Sequence, residues 1–157
     1  MAGTLKVKIE EDIILENQNY GSKRTFEISS IANITKKIVT IASDDDATVL
    51  VFKSTVAIAD GALDKENVKY IRITNLDSSN SVNISLQLDS GEDNSSADLS
   101  MTHLLEAGRS FLMGAPDEGA HTDDDSATIV TALTDLESII VDPGSNSGQV
   151  EVFVAST

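Results

Sequence analysis

Residues 69–88 read KYIRITNLDSSNSVNISLQL. Two runs rich in β-branched residues flank a polar connector, NLDSSNS (75–81). In the second run Val82, Ile84, Leu86 and Leu88 alternate with Asn83, Ser85 and Gln87. A period of two is the mark of a strand with one face in a core and one face on water or a neighbour. The first run, VKYIRITNL, slips phase. Val68 and Tyr70 fall on the face opposite Ile71 and Ile73. A β-bulge, or burial of both faces, accounts for such a slip. The stretch reads as a hairpin, with Tyr70 or Arg72 displayed on a flat sheet surface, where Tyr and Arg are favoured interface anchors.

The same pattern spreads outward. TLKVKIE sets Leu5, Val7 and Ile9 against Lys6 and Lys8, RTFEISSI alternates Phe26 and Ile28, and GQVEVFVAS repeats it with Val150, Val152 and Val154. KKIVTIA and ATVLVFK are more continuous and read as strands buried on both faces. SMTHLLEA, RSFLMG, SATIVTAL and LESIIVD complete roughly ten short strands, divided by Gly, Asp, Asn and Ser clusters at the spacing of a sandwich or barrel. TVAIADGALDKENV allows a short helical turn. So does TALTDLESI, where Thr134 and Glu137 have capping-box spacing. The expected fold is all-β: a single-domain antiparallel β-sandwich over 1–157, jelly-roll or immunoglobulin-like, with little helix. Both topologies fit this strand count. The N-terminal segment, about 1–16, is expected to be an arm or edge strand. Two polar, acidic stretches, 89–100 and 114–126, are the long loops.

Composition narrows the chemistry. Aromatic residues make up 4% of the chain and Trp is absent, so the core must be aliphatic. With no cysteine there are no disulfides, thiolate metal sites or cysteine nucleophiles. No apolar run is long enough to cross a membrane as a helix, and the first residues lack the continuous apolar segment of a signal peptide. The net charge of −15 is lopsided. Up to position 77, ten of the eleven cations face twelve acids; beyond it Arg109 stands alone against fourteen. Such a field repels phosphate backbones and argues against nucleic-acid binding. Either the acidic half provides solubility, or it faces solvent while the more balanced half contacts a partner.

Catalytic patterns are missing. There is no GxSxG elbow, no phosphate-binding Gly-rich loop, and the two histidines, His103 and His121, have no obvious acid–base partners. His103 reads as a half-buried strand residue and His121 as an exposed loop residue. No enzyme activity and no cofactor are expected. The nearest approach to a ligand site is a weak structural Ca²⁺ site in the loops SDDDA (Asp44, Asp46) or HTDDDS (Asp123, Asp125), since Ca²⁺ takes hard oxygen ligands. Consecutive acids point to opposite sides, so solvated charged turns are the simpler reading. Arg109 either balances local charge, pairing with Glu106 or another carboxylate, or contacts an acidic neighbouring subunit.

This small, acidic, cysteine-free β chain, with YIRITNLDSSNSVNISLQL followed by LLEAGRSFLMG and the closing VEVFVAST, resembles the small β-sandwich structural proteins of tailed bacteriophage virions. The resemblance rests on strand and turn patterns and carries no active-site residue. It implies a non-enzymatic virion component, assembled in the host cytoplasm as a dimer or trimer, that decorates and cements the capsid by binding the major capsid protein. Lys6 and Lys8 on the N-terminal strand would then suit an acidic shell surface. The alternative within that class is a tail, baseplate or fibre-associated sandwich that binds a host receptor or carbohydrate. Two tyrosines, Tyr20 and Tyr70, and no tryptophan make a poor sugar-stacking platform. Interface candidates are therefore Lys6, Lys8, Tyr70, Arg72 and Arg109.

Overall fold

The structure, a computed structural model, describes residues 2–56, 61–88, 99–122 and 133–157. Thirteen strands follow one another: β1 (Gly3–Glu11), β2 (Ile14–Leu15), β3 (Gln18–Asn19), β4 (Ser22–Ile31), β5 (Asn33–Ile41), β6 (Ala47–Lys53), β7 (Leu63–Asp64), β8 (Val68–Asn75), β9 (Val82–Leu88), β10 (Leu99–Leu105), β11 (Ser110–Met113), β12 (Leu136–Asp142) and β13 (Gly148–Ser156). Three of these, β2, β3 and β7, are two-residue pairings, which leaves ten strands of the length the sequence pattern requires. No helix occurs among the described residues. Thr134 bridges Ala120 instead of capping a helix, and Leu136–Asp142 is strand. The apolar side chains of β12 are wanted at period two by the core, and that tertiary demand overrides the local cap. SATIVTAL lies almost wholly outside the described residues.

Two sheets face each other. One has the order β10-β9-β12-β6-β7 and the other β11-β8-β13-β5, antiparallel throughout except for the short β6–β7 pairing. With β7 set aside, each sheet holds four strands, and the chain changes sheet after β5, β6, β8, β10, β11 and β12. This is the double Greek key of a jelly roll. The opening stretch is therefore no hairpin. β8 and β9 lie in opposite sheets, and NLDSSNS carries the chain across the end of the sandwich.

The alternation of β9 is borne out residue by residue: Val82, Ile84, Leu86 and Leu88 are buried and the residues between them half-buried. They meet Ile71 and Ile73 of β8, Ile139 and Val141 of β12, and Val150, Val152 and Val154 of β13 in one aliphatic core. Truncating one of the fully buried Ile or Leu residues to Ala costs about 2–5 kcal/mol. β6 places Val49, Leu50 and Phe52 in the same core, helped by a register shift opposite Ile139–Ile140. β5 departs from expectation: it is an edge strand and mostly exposed, with Ile34 and Ile38 on the surface. Lys36 and Lys37 on this edge discourage edge-to-edge pairing with like chains.

The connector is held by its amides. Asn75, fully buried, donates from Nδ2 to the carbonyls of Asn80 (2.8 Å) and Leu105 (3.2 Å), and its Oδ1 accepts from the Asp77 N–H (3.0 Å). Each of these groups, left unpaired in the interior, would cost about 1–3 kcal/mol. Asp77 Oδ1 accepts from the N–H groups of Ser79 (2.8 Å) and Asn80 (2.9 Å). Polar residues that look idle in the sequence thus close one end of the sandwich.

Candidate docking site

A third layer lies outside the sandwich. β1 and β4 form a long antiparallel ribbon by themselves, and β2 and β3 continue it to a tip. Leu15 pairs with Gln18, so Glu16 and Asn17 are the two loop residues, both at positive φ (50° and 63°). That is the signature of a type I′ turn. Without an Asn-Gly pair it has little sequence signal, and the tip escapes a pattern-based reading. Gly21 interrupts the ladder between ribbon and tip. A Cβ there would collide with the Glu11 carbonyl, so only glycine fits. At the base, β4 carries one extra residue opposite Gly3–Leu5, and Ser30 sits at φ 63°. This bulge lets the chain turn through Ala32 into β5.

The ribbon is amphipathic. Leu5 faces Ile28, Val7 faces Phe26 and Ile9 faces Arg24 on one side. On the other, Lys6 pairs with Glu27 at 2.7 Å and Lys23 with Glu10 at 2.9 Å. The apolar side rests on the outer face of the β11-β8-β13-β5 sheet only at its base, where Leu5, Val7, Ile28 and Ile31 pack with Tyr70, Phe153 and Ala155. Tyr70 is accordingly buried at 8% exposure, its ring edge-on to Phe153 with centroids 6.1 Å apart. Tyr70 is therefore an internal anchor for the ribbon and not a displayed contact residue. Its neighbours explain the phase slip in VKYIRITNL in both ways: a register shift opposite Ala155–Ser156 sends Val68 into the core, and the outward face at Tyr70 is covered.

Farther out, the ribbon is bare. Ile13, Ile14, Leu15 and Tyr20 are 52%, 71%, 59% and 61% exposed, and Ile9 and Phe26 are also exposed. Beside the ribbon runs a groove of about 410 Å³ lined by Leu5, Lys6, Val7, Lys8, Ile9 and, across from them, Lys36, Tyr70, Arg72, Ser110, Leu112 and Phe153. A smaller one of about 210 Å³ opens on the side of Phe26, Ile28 and Met113. Leu112, Arg72, Phe153 and Lys36 form a single row across the four strands of the sheet. Glu151 accepts from Lys36 at 3.0 Å and from Arg72, whose guanidinium lies 5.6 Å from the Phe153 ring centre. The Lys36 hydrogen bond holds the Glu151 carboxyl below its ordinary range, with the charges of Lys36 and Arg72 adding to it against the cost of burial. Four of the five interface candidates, Lys6, Lys8, Tyr70 and Arg72, thus meet at this groove.

Arg109 does not join them. It follows the Ala107–Gly108 turn, Gly108 at φ 69°, and its carbonyl accepts the Asn75 N–H at 3.0 Å. No ion pair links it to Glu106 among the described residues. Asp44 and Asp46 lie in the β5–β6 turn, beside Asp45 and, through the Asp44 N–H to Gly144 carbonyl bond of 2.8 Å, near Asp142. Among the described residues no three His, Asp or Glu side chains are placed to hold one metal ion. Asp123 and Asp125 lie outside the described residues. His103 is exposed on β10, its ring 5.8 Å from that of Phe111, rather than half-buried. His121 is half-buried, its Nδ1 2.6 Å from the Thr134 hydroxyl.

Comparison with known protein families and with curated proteins finds no match. Among solved structures, the chain aligns with a subunit from work describing how "Bacillus endospore appendages form a novel family of disulfide-linked pili". The TM-score is 0.36 and the identity 11%, over 79% of this chain and 88% of that one. A likeness of that degree carries no functional argument.

Proposed function

We propose that this protein is a non-enzymatic structural subunit that docks onto a larger protein assembly through its N-terminal ribbon. In its specific form it is a capsid decoration protein of a tailed-phage virion, acting as a dimer or trimer on the major capsid protein. The observation that carries the docking reading is the bare ribbon tip. A two-stranded ribbon is marginal in water, and large apolar side chains left exposed together at its tip mark an interaction surface. Burying Ile13, Ile14, Leu15 and Tyr20 on a partner would contribute roughly 1 kcal/mol or more each. The virion setting is supported by the sequence resemblance. Jelly rolls serve capsids, lectins and cupins alike, so the fold by itself does not choose among them.

The test is localisation. Cryo-EM of purified particles should find the sandwich on the capsid surface with its ribbon against the shell, and the double variant Ile14→Asp/Leu15→Asp should fold normally yet fail to sediment with capsids. Density confined to the tail would overturn decoration in favour of the tail reading. Absence from particles would overturn both.

A further inference from the structure

The larger groove has a property that the exposed tip does not. Five consecutive residues of β1, Leu5 to Ile9, line it. Successive side chains of a strand point to opposite faces, so a cavity touched by all five runs along the strand's edge. That edge is open, because β1 pairs only with β4 among the described strands. An extended segment placed there would add a third strand to the ribbon and lie over the Leu112–Arg72–Phe153–Lys36 row. Its inward side chains would meet Leu112 and Phe153.

The charge of the groove defines the segment. Its lining holds four cations, Lys6, Lys8, Lys36 and Arg72, and no carboxylate, in a chain of net charge −15. Glu27 and Glu151 engage three of the four. Lys8 has no ion-pair partner among the described residues. A second copy of this chain is a poor occupant. Two β1 edges paired antiparallel about Val7 would set Lys6 against Lys8 of the other copy, and about Lys8 they would set Lys8 against itself. Like charges directly opposite are destabilising. Sliding the pair to Ile9 would bring Glu10 opposite Lys8, but Glu10 is already engaged by Lys23 at 2.9 Å, and the pairing would then be centred away from the middle of the groove. The other open edges among the described strands are little better: β5 carries Lys36 and Lys37, β10 and β11 have no acid, β4 sets Lys23 and Arg24 against one acid, Glu27, already paired with Lys6, and the two-residue β7 has one, Asp64, already bonded to Asn67.

The geometry points to β1 as the acceptor edge for a strand from a different protein, one that alternates apolar with Asp or Glu residues. Backbone hydrogen bonds to β1 supply affinity, apolar side chains enter the groove, and carboxylates meet Lys8 and the row of cations. This deepens the docking reading by naming the chemistry of the partner.

The experiment uses the purified chain and fluorescein-labelled octapeptides. A Val/Glu alternating peptide should bind, weakening as salt rises, and hydrogen exchange at β1 should slow when it does. A Val/Lys peptide should not bind. Lys8→Glu, a change at an exposed residue, should weaken binding about tenfold. N-methylation of alternate peptide amides should do at least as much. Equal binding of the Val/Lys peptide, or an undiminished affinity in Lys8→Glu, overturns the charge assignment. Undiminished binding of the N-methylated peptide overturns strand addition and leaves only electrostatic attraction. These failures would be distinct from failure of the docking reading, which stands or falls on the tip variant and the particle.

Discussion

Asp77 shows how a residue without chemistry can set a condition on the whole fold. Its carboxylate, on a half-buried residue, receives the Ser79 and Asn80 N–H groups, which lower its pKa from 3.8 to about 2. The folded value lies below the unfolded one, so the stabilisation is present above about pH 4 and is lost as the pH falls from 4 toward 2. Asp77→Asn keeps an acceptor for both N–H groups but removes the titration. The denaturation midpoint of the wild type should therefore fall more steeply between pH 5 and pH 2.5 than that of the variant. Equal slopes would show that the lowered value has no consequence for folding. Asp135 and Glu151, also lowered, slope the same way in both proteins and cancel in the comparison. None of this was legible in NLDSSNS, where Asn75 and Asp77 read as loop polarity. A buried amide gives no periodic signal, because its place depends on where Leu105 and Arg109 arrive from elsewhere in the chain.

Among the elements, strands facing one aliphatic core were easy to read and strands facing two surroundings were not. β9 alternates because one side is core and the other is not, and β13 does so until Phe153 and Ala155, where its outer face comes under the ribbon. β8 is covered on both sides, and its slip at Tyr70 was the visible trace of a ribbon that the sequence did not locate. β5 departs from its apolar pattern because Ile34 and Ile38 lie on an exposed outer face, where hydrophobicity does not imply burial. The ribbon itself depends on a small anchorage. Replacing Tyr70 with Ala removes the ring that Leu5, Val7, Ile28 and Ile31 rest on, a loss of about 3–5 kcal/mol for an aromatic truncation. The sandwich core lies on the other side of the sheet. Trypsin should thus cut Tyr70→Ala at Lys23 or Arg24 at least tenfold faster than wild type, while amides of β9 and β12 keep their protection. Unchanged cleavage would mean that the ribbon is held by something other than this cluster.

At the scale of the molecule, charge opposes compactness. Twenty-six acids against eleven cations leave −15 on a chain of 157 residues. Self-repulsion of that kind weakens the folded state, and it is screened within about 10 Å at 0.1 M salt. The melting temperature should rise between 10 and 200 mM NaCl, by several degrees. A fall would mean that the ion pairs of the ribbon and of Glu151 outweigh the net repulsion. The lopsided charge read from the sequence takes physical form here: eight of the ten cations of the first half lie on the ribbon (Lys6, Lys8, Lys23, Arg24) or the sheet it leans on (Lys36, Lys37, Lys69, Arg72). Which face they would share was beyond the sequence, since Lys8 and Lys36 are brought together only by the bend at Ser30.

That bend has a mechanical side. Beyond Ser30 and Ala32 the chain becomes β5, joined to β13 by nine consecutive register pairs. A tug on an anchored ribbon, drawn along β5, reaches the sandwich as shear across all nine rungs at once instead of peeling them singly. A subunit held by its ribbon and pulled would yield at the anchor before its own body came apart.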